Sequence, residues 1–477
     1  MPVRPKLLIG LLLGAGVVLA GGLLSVWTAQ RALRRVAPWM GPSPTLSLGA
    51  GGGYVTTGQP PQDLVPAEDL SPEERRRNFE ALATGIADTY AMFRIKSIDW
   101  PQVVARYRLR VARAASTEEY YQLLWLLVNE LHDTHSWVQG SQEPQPRFRP
   151  RLALDQFGSR DYVVLVPPGS PPAEAGVRVG WEVVEVDGVP LAERVRQTMP
   201  RLKALSSERA TQRQAYRSVL AGGRGTMCKI TFRLPSGERR RVSLKRVFPG
   251  RVRPQGRYPA QVAFQHFAAG AVLPSGLGYI RIASFEGRGE IATEFAAALE
   301  PLRDTPGLVL DVRGNEGGFG NAQPEIVGRF LTKRTLVAIS YSKQPGPGTA
   351  LTRHEQTFRP TGSWRYTKPV ALLTDADTGS AADLFVCYMR AAPHVTTVGS
   401  PTHGNLSGVG AYIVLPCNLV VRVSNGYVCD AKGTPIEGRG NVPDVLVEPT
   451  IEDVAAGRDP ALERAVVVLR SDRHVGL

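Results

Sequence analysis

From Ser71 onward apolar residues recur at helical spacing, through Phe79, Leu82, Ile86 and Tyr90. The stretch opens on Ser71-Pro72-Glu73-Glu74, an N-cap followed by proline at the first helical position and acids in the first turn. A second helix is predicted over 117–131, with Tyr121, Leu124, Leu127 and Val128 facing inward. It ends at Leu131-His132-Asp133-Thr134-His135. Residues 70–147 thus predict a helical unit that closes on a histidine-bearing turn.

Beyond 148 the period changes. Residues 162–166 read as a strand, and Gly169-Ser170-Pro171-Pro172-Ala173-Glu174-Ala175-Gly176-Val177 as a short helix with a glycine turn. A further strand closes on Asp187-Gly188, and the last strands fall at 229–234 and 242–246 around Ser236-Gly237. The order resembles a PDZ domain, placed at 148–247. Such domains capture an extended peptide by strand addition. Residues 191–221 are longer and more basic than the usual PDZ helix, so an open groove and a blocked, structural β-module are both compatible with the string.

From 275, apolar strands at 277–283, 307–313, 370–374 and 395–399 alternate with helices at 288–303, 321–333 and 381–392. This is α/β layering, with chemistry expected at the strand ends. The core is expected over 260–455, with 456–477 as a C-terminal tail. At the other end, Arg4 and Lys6 precede an apolar run over 7–28, roughly 30 Å as a helix and long enough to cross a bilayer core. Residues 1–35 are therefore expected to be a membrane anchor or, if Val18-Leu19-Ala20 is a cleavage site, a signal segment. Residues 36–69, rich in Gly, Pro and Ser, read as a linker. The globular part is then expected outside the cytoplasmic membrane, in the cell envelope or periplasm.

Composition alters this picture little. The 477 residues carry a formal net charge of +14, but the charge is dispersed and lacks interleaved aromatics, so no nucleic-acid partner is expected. The 49 glycines and 38 prolines suit a loop-rich mixed α/β protein. The four cysteines lack metal-ligand spacing, and neither metal nor cofactor is expected. Cys417 and Cys429 flank a hairpin-like segment with Asn425-Gly426 near its turn. They read equally as one disulfide or as two buried thiols.

Two places carry chemistry. Ser380, in Thr378-Gly379-Ser380-Ala381-Ala382-Asp383, falls between a strand and an apolar helix, where free N–H groups and the helix dipole favour an oxyanion. In isolation, capping explains such a serine as well. Asp311-Val312-Arg313-Gly314-Asn315-Glu316-Gly317-Gly318 runs a strand into a glycine turn able to point N–H groups at a ligand. It lacks the Gly-Lys-Ser/Thr ending of a phosphate loop. A nucleophilic serine needs a base. His132, His135, His394 and His403 all lie near these motifs, and residue chemistry alone does not choose among them.

Together with Asp133-Thr134-His135, Gly399-Ser400-Pro401-Thr402-His403-Gly404 and Ile436-Glu437-Gly438-Arg439-Gly440-Asn441-Val442-Pro443-Asp444, these strings resemble the serine peptidase family of the tail-specific and tricorn core proteases, over roughly 70–450. The resemblance implies a ClpP/crotonase-like α/β catalytic core, with an N-terminal helical region and an inserted PDZ-like β-rich domain. The tail-specific branch uses a serine–lysine dyad. Its lysine position, after Thr402-His403-Gly404, is Asn405 here, and Lys368 and Lys432 do not match the motif. The tricorn-like branch implies Ser380 as nucleophile, His135 as base and Glu437 as its acid, linked through Thr134. Ala381 and Gly317 or Gly318 would form the oxyanion hole. Asp383 matches an acidic position read as helix support. Protein or peptide substrates, membrane association through the N-terminal segment and a possible homo-oligomer follow as expectations. An inactive ligand- or peptide-binding protein on the same fold is the alternative.

Overall fold

The computed structural model describes residues 46–48, 54–57, 63–140, 148–248, 266–287, 289–408 and 410–471. The apolar run at 7–28 lies outside them. No helix among the described residues is long and apolar enough to cross a membrane.

The core is a six-stranded sheet in the order Ala268–Val272, Gly278–Ile282, Leu308–Asp311, Val370–Thr374, Val395–Gly399 and Val445–Leu446. The first pair is antiparallel and the rest are parallel. The central strands are buried on both faces, which is why they read as continuous apolar runs. Helices Glu290–Leu299, Gln323–Gly328 and Ala381–Met389 cover one face. Every residue of Ala381–Met389 is buried. At about 1.5–3 kcal/mol per large apolar side chain, that burial anchors the helix that Ser380 precedes as its N-cap residue.

Helix Pro460–Ser471 covers the opposite face through Ala461, Ala465 and Leu469. Residues 456–477 are therefore not simply a tail. Asp459, just ahead of that helix, binds Arg313 at 2.7 Å, and Arg313 in turn binds Asp311 at 2.7 Å. This locks the helix to the end of a central strand.

The N-terminal helices Pro72–Thr89 and Thr117–Asn129 form as expected, the first with a capping box at Ser71. A third, Trp100–Val111, lies between them, capped by Asp99 with Pro101 in its first turn. These helices do not close their own core. They pack on hairpin Gly410–Val414/Val420–Ser424, and Leu82, Ile86 and Leu124 share a cluster with Ile413, Val421 and Val423. Residues Tyr54–Thr57, expected to be linker, form a strand on the edge of that hairpin. Four residues between glycines are too short to show a period.

The unit at 148–248 has its own core and a sheet in the order Ala153–Phe157, Arg160–Leu165, Glu182–Val186, Met227–Arg233 and Arg239–Lys245. The long basic stretch folds into helices Leu191–Thr198 and Glu208–Ser218. Asn425-Gly426 is not a hairpin turn. It passes the chain from one sheet to another, where a Cβ on Gly426 would lie 2.4 Å from the Tyr341 carbonyl. All four cysteines are free and buried, with Cys417 and Cys429 unpaired.

Candidate active site

Strand Val370–Thr374 ends in a turn tied to the neighbouring strand end. Thr378 Oγ1 donates to the Val312 carbonyl at 3.1 Å and the Gly379 N–H to the Asn315 carbonyl at 3.0 Å. Gly314 N–H reaches Asp375 Oδ1 at 2.9 Å. Ser380 follows with φ +53 and ψ −119, outside the regions that side-chain-bearing residues favour. Such strain costs about 1–3 kcal/mol and persists only where neighbours over-determine it. Here they do. The Ser380 N–H donates to Asn405 Oδ1 at 2.6 Å, and Asp383 accepts the N–H groups of Gly404 and Asn405 at 3.1 and 3.2 Å. Asn405 occupies the place expected for a lysine and braces the serine backbone instead. Burial raises the Asp383 carboxyl to about 7, against the hydrogen bonds that pull it down.

The glycine turn meets the serine directly. A Cβ on Gly317 (φ +106) would lie 2.8 Å from both Ala381 N and Ser380 Cβ, so glycine keeps open the space before the first N–H of the helix. The Gly317 N–H is already donated to Asn315 Oδ1 at 2.9 Å. The Gly317 carbonyl and the Phe319 N–H both bond to Phe285, so alternation turns the Gly318 N–H away from that strand. Of the two glycine N–H groups, that of Gly317 is committed to Asn315 and that of Gly318 points away from Phe285.

The structure brings His135 to Ser380 across 245 residues, with Nε2 3.4 Å from Oγ. On the other side of the ring, Nδ1 lies 2.9 Å from Ser407 Oγ, which donates to Asp133 Oδ1 at 3.1 Å. Asp133 is itself fixed by the His135 N–H at 3.0 Å and the Ser136 hydroxyl at 2.5 Å. Burial would raise the Asp133 carboxyl, but His135, Ser136, Ser424 and Lys96 together hold it below its ordinary value. His135 moves down from 6.5 to about 4, chiefly through burial; Asp133 opposes this, while Arg422, Lys203 and His403 add to it.

The expected link through Thr134 is not the one formed. Thr134 trades hydrogen bonds with Ser206, backbone N–H to hydroxyl in both directions at 3.0 Å. Glu437 is buried behind the turn and pairs with Lys96 at 2.7 Å. Its carboxyl rises to about 7, burial outweighing the pull of Lys96. The hydroxyl at His135 Nδ1 belongs to Ser407, and the carboxylate that this hydroxyl reaches is Asp133. Asp133 was in view within its motif. Ser407 carried no signal, because its partner lies 272 residues away.

The β-rich unit touches the same centre. Ser207 Oγ donates to the His403 carbonyl at 2.8 Å. From helix Glu208–Ser218, Arg213 and Arg217 hold Asp377, in the serine turn, at 3.1 and 2.7 Å. Beside this contact lies a cavity of about 700 Å³. Its walls include Asp155, Phe157 and Tyr216 of the β-rich unit and Asp375 and Ser400 of the core. Neither Ser380 nor His135 lines it. No metal-binding cluster of His, Cys, Asp or Glu occurs among the described residues.

Residues 276–447 match the model of peptidase family S41, and residues 71–129 that of the tricorn protease C1 domain. The chain is 28% identical over 389 residues to a putative tricorn protease homolog 2 of Streptomyces coelicolor, covering 77% of this chain and 30% of that one. It is 24% identical over 247 residues to the carboxy-terminal processing protease CtpB of Bacillus subtilis, covering 51% and 44%. It therefore spans less than half the length of either relative. Mature CPAF, solved in complex with lactacystin, has the same mixed α/β fold, with a TM-score of 0.64 at 15% identity over 83% of this chain and 98% of that one. The catalytic-core residues 276–447 are thus similar to peptidase family S41, and the helices ahead of them to the tricorn C1 domain.

Proposed function

We propose that this chain is an exported or membrane-anchored serine endopeptidase working through an acyl-enzyme on Ser380. The observation that carries the reading is His135 Nε2 at 3.4 Å from the hydroxyl of a serine held at positive φ, at the start of a buried helix. Strand, strained turn and helix are the parts of a nucleophile elbow. The separation is slightly longer than a working hydrogen bond, as is usual before substrate tightens a site.

In the proposed reaction Ser380 Oγ attacks a peptide carbonyl and its proton passes to His135 Nε2. The oxyanion is met by the Ala381 and Gly318 N–H groups. His135 then protonates the leaving amine, and water, deprotonated by the same nitrogen, releases the acyl group. Lys96 of the buried Glu437–Lys96 pair donates to the His132 carbonyl and so supports the histidine turn from behind.

The unit at 148–248 is read as a PDZ domain that selects substrates. Strand Ala153–Phe157 is a sheet edge facing helix Glu208–Ser218, and an extended peptide can add to such an edge. Two side-chain bridges now span the gap, Arg213 to Asp155 at 2.6 Å and Gln212 to Gln156 at 2.8 Å. A peptide has to part them. The N-terminal segment is taken as the membrane attachment, with the catalytic part in the cell envelope.

Digestion of a mixed peptide library, read by mass spectrometry, tests hydrolysis. New termini are expected with wild type and none with Ser380→Ala. A library left intact by folded wild type contradicts the reading.

A further inference from the structure

We propose that Ser407, held by the Asp133 carboxylate, is the positioning residue that fixes the tautomer of His135, the role expected of Glu437 and Thr134. This rests on the reading of His135 as the base at Ser380.

Proton counting carries the inference. Among the described residues Ser407 Oγ bonds two polar atoms, Asp133 Oδ1 at 3.1 Å and His135 Nδ1 at 2.9 Å, and it has one proton to give. An ionised carboxylate only accepts, so the hydroxyl proton goes to Asp133. Ser407 then has only lone pairs left for the imidazole, and Nδ1 must be the donor. A neutral imidazole with its proton on Nδ1 has its lone pair on Nε2, the atom facing Ser380 Oγ. That is the tautomer a general base requires.

The same chain acts after proton transfer. The imidazolium still donates from Nδ1 to Ser407, with the Asp133 charge one hydroxyl away. The other charged or titratable groups acting on the ring, Arg422, Lys203 and His403, all disfavour the cation. Asp133 is the group that opposes them, and it cannot swing away because the His135 N–H and the Ser136 hydroxyl also hold it. Ser407 is positioned independently, by pairing of its backbone with Tyr427. Glu437 is held by Lys96 and Ser206, and Thr134 by Ser206, so these two meet at Ser206 and not at the imidazole nitrogen.

The test uses the full chain, with histidine ¹⁵N NMR and the labelling rate of a fluorophosphonate probe. Neutral His135 in wild type is expected to show a protonated Nδ1 and a bare Nε2. Ser407→Ala is expected to lose that preference and to slow labelling by about 10²-fold or more, since the wrong tautomer is costly to a serine–histidine centre. Ser407→Thr, which restores a hydroxyl, recovers both signals. Glu437→Gln keeps the Nδ1 proton in place. Wild-type His135 protonated on Nε2, unchanged labelling in Ser407→Ala, or a tautomer that flips in Glu437→Gln overturns the proposal. An unlabelled wild type overturns the peptidase reading instead, and the NMR measurement still decides the tautomer.

Discussion

The side-chain oxygen of Asn405 accepts the backbone N–H of Ser380 at 2.6 Å. A residue whose identity excludes a lysine dyad is thereby part of what keeps the serine at positive φ. Asn405→Ala leaves that N–H without its partner, which costs about 1–3 kcal/mol. Thermal denaturation is expected to show the loss, with slower probe labelling of Ser380. Asn405→Lys is expected to be no more active than Asn405→Ala, because a lysine there has to displace the brace before it can act as a base.

Gly317→Ala tests the oxyanion space. Its methyl would sit 2.8 Å from Ala381 N, at a backbone angle that suits only glycine. Losing one donor from such a site costs about 10²–10³-fold in kcat. A loss of that order is expected, with the helical circular dichroism signal retained.

The pH profile follows from His135. A base must be neutral to accept a proton, and the ring, lowered from 6.5 to about 4, stays neutral well into the acid range. The acid limb of kcat/KM is expected near 4, with activity flat above about pH 5. An acid limb at the ordinary histidine value would place the working base elsewhere.

Glu437 contributes to stability with the opposite sense. Its carboxyl is raised to about 7, so between its ordinary 4.5 and about 7 the folded chain binds a proton that the unfolded chain has released. That contribution is fully present below 4.5 and is lost as pH rises through about 7. Glu437→Gln lacks it. Its stability relative to wild type is expected to improve as pH rises from about 5 to 8, measured by urea unfolding.

The C-terminal helix gives a test of the fold. Asp459 neutralises Arg313, which is 2% exposed, and Ala461, Ala465 and Leu469 close one face of the central sheet. Removing one partner of a buried pair typically costs about 3–5 kcal/mol. Asp459→Ala is expected at the lower end, because Asp311 still holds the guanidinium. Deleting 459–477 is expected to prevent folding of the core.

What the sequence made legible follows from how local each signal was. The central strands, the buried helix after Ser380 and four strands of the β-rich unit each carry a local signal and form close to where the pattern put them, whereas edge strand Ala153–Phe157 carried none that was read. Tyr54–Thr57 and hairpin Gly410–Val414/Val420–Ser424 are short pieces that acquire meaning only when they cover the N-terminal helices. The site divides the same way. Ser380, His135 and the glycine turn stand in strings with their own character, and the fold brings them together. Ser407 and Lys96 are ordinary residues in their local strings, made important by partners far along the chain. Glu437 came from a motif, and its position in the motif did not reveal that a lysine would claim it.

Covalent labelling is the most direct test of the serine–histidine centre. Full-length protein is treated with a fluorophosphonate probe, digested, and the modified peptide mapped by mass spectrometry. The expected result is a single adduct on Ser380, strongly reduced in His135→Ala and absent in Ser380→Ala. Folded wild type that takes no label, or takes it at another serine, contradicts Ser380 as a nucleophile activated by His135.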